Sequence, residues 1–150
     1  PTAVIRNTNC YGPYDPHADH IVPGTIQAVL NGQRPVIRGR GTTKKSYLFV
    51  DDVVAAYLMV ASWLVGGGEK GHAFNVSTTP TSVRELVGEI LGVMQCRMEP
   101  EIWGKENDQA DEWLNWAKIR TLVGWRPQYT LRNGLEQTVD AFRTRVGAGV

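Results

Sequence analysis

Residues 46–77 read SYLFVDDVVAAYLMVASWLVGGGEKGHAFNVS, and this stretch constrains the fold more than any other. SYLFV is a short apolar strand. In the next segment Val53, Ala56, Tyr57, Val60, Ala61 and Leu64 recur at helical spacing, with Asp51 or Asp52 placed to cap the start. The glycines of VGGGEKG stop that helix, and HAFNVS returns as a strand. A helix lying between two strands is the signature of an α/β arrangement with parallel pairing. So apolar a helix is expected to be buried.

The remaining chain continues the alternation. Thr2 to Thr8 reads as an extended strand closed by the turn residues of YGP, and HIVPGTIQAVLNGQRP as a helix with Pro23 near its start and Gly32 past its end. PVIRG is a second short strand. Ser82-x-x-Glu85 forms a capping box ahead of a stripe of Val83, Leu86, Val87, Ile90, Leu91 and Met94, the clearest helix in the sequence. MEPEIW reads as a strand, Lys118 to Val123 as a short helix ended by GWRP, and Leu131 to Val146 as a last amphipathic helix carrying Leu135, Val139 and Phe142. No repeat or long linker divides the 150 residues, so one domain over 1–150 is expected. The two parallel-type strands, AVIRNTN and AFNVS, do not obviously close a core with peripheral helices alone, so either the first is a short edge strand or the chain is a piece of something larger.

Composition narrows the function classes. With 42% apolar and 21% charged residues the chain is of ordinary globular type, and a net charge of +1 supplies no general field for nucleic acid or an anionic membrane. The longest apolar run, Val53 to Val65, is shorter than the ~20 residues a bilayer span needs, and no charged-then-apolar leader opens the sequence. Two cysteines, Cys10 and Cys96, fit free thiols in a reducing compartment, so a cytoplasmic location is expected.

Several local patterns invite chemistry and fall short of it. GRGTTKK has glycines beside lysines but lacks the P-loop spacing and precedes a strand; GEKGHAF has two glycines of a dinucleotide fingerprint and also precedes a strand. His17 and His20, interleaved with Asp15 and Asp19, read as a solvated loop, with no further His or Cys at metal-ligand spacing. Cys10 has no assignable catalytic partner and reads as a small buried thiol. The five tryptophans, among them Trp113, Trp116 and Trp125, read as core and interface packing.

The ordered set RNTNCYGPYD, HIVPGTIQAVLNGQRPVIRGRGTTKKSYLFVDDVVAAYLMVA, AFNVS and LVGWRPQYTLRNGLEQTV resembles the C-terminal half of the extended short-chain dehydrogenase/reductases that act on nucleotide sugars. Within these, IVPGTI, PVIRG and LNWAKIRTLVGWRP are most similar to the sugar-nucleotide 4,6-dehydratases, in particular the CDP-glucose 4,6-dehydratases. The resemblance implies a remnant of a Rossmann-type sheet followed by a small α/β domain that binds a nucleotide-diphosphate sugar. It places the NAD cofactor site and the catalytic Tyr-x-x-x-Lys upstream of Pro1. Tyr11, Tyr14, Tyr47, Tyr57 and Tyr129 are followed four residues later by Asp15, Ala18, Asp51, Ala61 and Asn133, so none supplies that lysine. On this basis the chain alone is expected to bind no cofactor and to be inactive, and either to form a homodimer or to require a separate N-terminal half.

Residue by residue, the resemblance implies that Asn9 donates to the diphosphate and that Tyr11, Gly12 and Pro13 line the nicotinamide side. Ile21, Val22 and Pro23 would bring backbone near the nucleotide, and Arg38 would lie against the base. Lys45 and Asn75 would grip the diphosphate, and Asp108 or Asp111 would meet a ribose hydroxyl. Two positions depart from the family's pattern: Lys45 stands for the usual Arg and Ser46 for the usual Asp. The lysine offers a point charge where the guanidinium offers a planar fork. For Asn9 and Asn75, an amide bonded to a neighbouring loop is the alternative reading.

Overall fold

In the computed structural model of the chain, residues 1–104 and 110–147 are described. Strands and helices alternate as expected of an α/β protein. The strands are β1 (Val4–Asn7), β2 (Asn9–Tyr11), β3 (Val36–Ile37), β4 (Lys44–Lys45), β5 (Tyr47–Phe49), β6 (Ala73–Val76), β7 (Thr81–Ser82) and β8 (Glu101–Ile102). The helices are α1 (Ile21–Leu30), α2 (Val50–Val65), α3 (Val83–Met94), α4 (Ala117–Val123) and α5 (Leu131–Gly147).

Pairing is parallel for β1 with β6, β2 with β5 and β3 with β8, and antiparallel for β4 with β7. Thr8 is the pivot of the first strand segment. Before it the chain pairs with β6 in the register Val4↔Ala73; after it, with β5 in the register Asn9↔Tyr47. Thr8 is buried there, and its N–H donates to Val76 O at 3.1 Å.

Strand alternation divides the core. On β5, Tyr47 and Phe49 face a cluster built with Ile26 of α1, Leu86 and Ile90 of α3, and Leu135 and Val139 of α5. Leu48, one residue out of phase, faces the opposite cluster of Ala56, Val60, Phe74, Val76, Ile119 and Trp125. β5 is therefore a wall shared by both. A third cluster joins Ile37 to Val87 and Leu91 under the helical stripe.

The capping box forms as expected: Glu85 N–H donates to Ser82 Oγ, and Ser82 N–H donates to Glu85 Oε2 at 2.7 Å. α4 ends at Gly124, whose φ of 80° is left-handed and suits a residue without Cβ. The start of α2 differs from the expectation. Phe49 is its N-cap, no side chain caps it, and Asp51 and Asp52 fall in the first turn, where their charge complements the helix dipole. Its burial also differs. Asp52, Ala56 and Val60 are buried at four-residue spacing, whereas Val54, Tyr57, Leu58 and Val65 on the other side are exposed, Leu58 by 64%.

The tryptophans divide in the same way. Trp125 is buried and meets Trp116 edge-on at 5.9 Å, while Trp103 and Trp113 are exposed. Among the described residues no helix is long and apolar enough to cross a membrane.

Candidate functional site

The residues singled out from sequence meet around Ser46, which is fully buried between β4 and β5. Its Oγ donates to Thr78 O at 2.7 Å, just beyond the end of β6. Asn9, opening β2, donates from Nδ2 to Ser46 O at 3.2 Å. Asn75 of β6 donates from Nδ2 to Asn115 O at 3.1 Å, and the Asn115 side chain accepts from Ala117 N–H at the start of α4. Both amides thus bind neighbouring loops, the alternative read from sequence. Lys45 lies beside this hub with Nζ 3.8 Å from Glu112 Oε2. Segments distant in the chain, at 9, 45–46, 75–78 and 111–115, are brought to one place by the parallel crossovers.

The segment after β8 is stitched to the hub through its backbone. Glu112 N–H donates to Lys44 O at 2.9 Å and Ser46 N–H donates to Glu112 O at 3.2 Å. Asp111 accepts Lys44 N–H at 2.7 Å on its carboxylate. Asp108 lies outside the described residues.

The other predicted positions lie around this hub or apart from it. Arg38 is exposed just past β3, whose ladder with β8 continues in the bond from Trp103 N–H to Ile37 O at 3.0 Å. Ile21, Val22 and Pro23 form the first turn of α1, and the side chains of Val22 and Pro23 are buried. The Tyr11 phenol points into the core and donates to Leu131 O at 3.1 Å. Burial, reinforced by the charge of Asp52, pushes its pKa well up, so it stays a neutral phenol. Gly12 passes so close to α2 that a Cβ there would lie 2.6 Å from Val50 Cγ1, which fixes the turn leading to Pro13.

A cavity of about 370 Å³ opens next to the hub, lined by Tyr11, Tyr47, Phe49, Asp52, Thr78 to Thr81 and Tyr129 to Leu131. Its wall is aromatic and hydroxylic. Tyr47 and Glu112 were not found from sequence; the alternation of KSYLF puts Tyr47 on the same face as Lys45 and was the available signal.

The glycine turn at 39–43 packs its backbone against α3. Gly41 O and Thr43 O accept from Arg84 N–H and Val83 N–H, so this loop gives its carbonyls to the N-terminus of α3. The histidine loop is a local network. His20 Nδ1 is 2.9 Å from Asp15 Oδ2, and His17 N–H donates to Asp15 Oδ1. Desolvation would raise Asp15, but the bonds from His20 and His17 outweigh it and leave its pKa lowered. Among the described residues no group of three or more His, Cys, Asp or Glu is placed to hold a metal ion. Cys10, expected to be buried, is exposed. Desolvation of its sulfur and the charge of Asp15 raise its pKa, which opposes a thiolate nucleophile.

A dinucleotide cradle needs a glycine-rich turn joining a parallel strand to a helix N-terminus. Here β5 passes directly into α2 at Val50 without a glycine, and the N-terminus of α3 is occupied by the carbonyls of 41–43.

Comparison with known proteins matches residues 1–77 to the NAD dependent epimerase/dehydratase family. A UDP-glucose 4-epimerase of Mycolicibacterium smegmatis is 37% identical over 145 residues, covering 94% of this chain and 45% of that protein. A dTDP-D-glucose 4,6-dehydratase of Mus musculus is 26% identical over 152 residues, covering 95% of this chain and 41% of that protein. The crystal structure of a UDP-glucose 4-epimerase from Thermotoga maritima with UDP-glucose superposes with a TM-score of 0.83 at 29% identity, over 96% of this chain and 46% of that one. The chain thus spans less than half the length of these relatives. With the family matched over its first 77 residues and the Rossmann-like α/β fold shared with the solved structure, the chain belongs to the NAD dependent epimerase/dehydratase family.

Proposed function

We propose that these residues are the nucleotide-sugar-binding part of an NAD-dependent nucleotide-sugar epimerase or 4,6-dehydratase. The observation that carries the reading is the meeting of Asn9, Ser46 and Thr78 beside Lys45, with Asn75 three residues before Thr78 on β6 and bonded to Asn115, from strands whose sequence positions are unrelated. On this reading Lys45 and the second N–H of each of the two amides hold a diphosphate, Arg38 approaches the base, and Ile21 to Pro23 flank the nucleoside. Gly12 and Pro13, above the core side chain of Tyr11, line the nicotinamide side of a cofactor site that other residues complete. The ligand is a pyrimidine nucleoside diphosphate sugar. The names of the relatives favour UDP- or dTDP-glucose, and the sequence resemblance favours CDP-glucose.

None of the five tyrosines of the sequence is followed four residues later by a lysine, and on this reading the chain alone binds ligand without turning it over. Calorimetric titration with NAD should accordingly show no saturable binding. The free cysteines fit a cytoplasmic setting. A second reading, a non-catalytic protein that self-associates, is favoured by the exposed apolar side of α2.

The test is thermal unfolding of the chain with CDP-, UDP-, GDP- and dTDP-sugars, since a ligand that binds only the folded state raises the midpoint. A shift selective for pyrimidine nucleotides is expected. Cooperative unfolding with no shift from any of them would refute the nucleotide-sugar reading.

A further inference from the structure

Lys45 and Glu112 are partners in a parallel bridge, and parallel partners place their side chains on the same face of the ladder. The Lys45 side chain is 18% exposed and that of Glu112 is 64% exposed, so the carboxylate is the solvent-facing member of a pair 3.8 Å apart. Glu112 cannot drift as a whole, because its N–H and carbonyl are both bonded to the strand at Lys44 and Ser46. Only its side chain is able to move. Asp111, the neighbouring acid, already accepts Lys44 N–H.

We propose that Glu112 competes with the ligand's diphosphate for Lys45 and thereby sets the affinity of the site for anionic ligands. The inference rests on the nucleotide-sugar reading above. A diphosphate approaching Lys45 meets one of two situations. Either the Glu112 carboxylate swings into solvent and its ion pair is lost, or it stays and repels the phosphate oxygens at close range. Both weaken binding relative to a neutral residue at 112, and both act in proportion to the ligand's charge. The effect compounds the departure from the family's pattern at Lys45, where a single ammonium replaces a two-pronged guanidinium.

The experiment is calorimetric titration of the full 150-residue chain and its Glu112→Gln variant with UDP, UMP and uridine. Glu112→Gln keeps the size and the backbone bonds, and with no ligand present its unfolding midpoint should stay within about 4 °C of the wild type, the loss of one exposed ion pair. UDP binding is expected to tighten about threefold or more, the range that an exposed ion pair supports, with a smaller gain for UMP and none for uridine. Glu112→Asp should behave as the wild type. Equal UDP affinity in wild type and Glu112→Gln would overturn this inference while leaving the nucleotide-sugar reading intact. An equal gain for all three ligands would overturn it as well, because a reshaped pocket does not count charges. UDP binding to neither protein would overturn both.

Discussion

Asp51 and Asp52 are adjacent, identical and equally placed in the first turn of α2, yet the structure predicts opposite consequences for their loss. Asp52 is 2% exposed. Its carboxylate accepts Gln128 N–H at 2.8 Å and Tyr129 N–H at 3.2 Å, and its main-chain carbonyl accepts Trp125 Nε1–H at 3.0 Å. These bonds tie the start of α2 to the loop that delivers α5. Bonds to a charged acceptor contribute about 1.5–3 kcal/mol each. Asp52→Ala removes both side-chain bonds and leaves the Trp125 bond in place. Gln128 is exposed and Tyr129 half-buried, so water recovers part of the loss, and the expected destabilisation is about 3 kcal/mol. For a domain of this size that lowers the melting midpoint by about 6–12 °C. Asp51 is exposed and accepts one bond, from Tyr129 Oη–H at 3.3 Å, so Asp51→Ala should destabilise by about 0.5 kcal/mol. Urea unfolding of the two variants at equal protein concentration measures the difference. If Asp52→Ala falls within about 0.5 kcal/mol of Asp51→Ala, the carboxylate does not hold the 125–130 loop and the argument fails.

Three further outcomes follow from packing, titration and exposure. A Cβ at Gly134 in α5 would collide with Tyr11 Oη and come within 2.8 Å of Phe49 Cδ2, so Gly134→Ala should destabilise by up to about 2 kcal/mol despite a helix-propensity gain of about 1 kcal/mol. Equal or higher stability in urea would show that the core yields there. Bonds from the Ser82 N–H, then from the Ser82 and Thr81 hydroxyls, hold the Glu85 carboxyl below its ordinary value. A depressed pKa in the folded state contributes stability that is full above the ordinary carboxylate value and is lost as pH falls through the folded one, so Glu85→Gln should flatten the acid limb of the pH–stability curve. An unchanged acid limb would refute the assignment. The exposed side of α2 at Val54, Tyr57, Leu58 and Val65 should drive self-association, with a symmetric dimer as the simplest closed form, and Leu58→Glu should weaken it. Sedimentation of the wild type as a monomer at micromolar concentration would count against it.

What the sequence determined by itself about this protein was whatever acts within one or two helical turns. The Ser82–Glu85 box spans three residues, so its partners are fixed by spacing, and α3 forms where the stripe from Val83 to Met94 placed it. The stop of α4 at Gly124 and the strand character of SYLFV and AFNVS were legible for the same reason. The α/β class followed from their alternation. Tertiary structure decided the rest, because the deciding partners lie far along the chain. Whether Asp51 or Asp52 is buried depends on a loop more than 70 residues away. That Asn9 meets the strand at Ser46, and that Ser46 meets Thr78, follows from the parallel registers, which bring distant segments side by side without any local mark. Glu112 left no signal at all: an acid in a polar stretch becomes the partner of a half-buried lysine only when the backbone of 111–112 pairs with the strand at 44–46. Local spacing encodes short-range geometry, whereas the charge environment of Lys45 is a sum over neighbours that only the folded chain assembles.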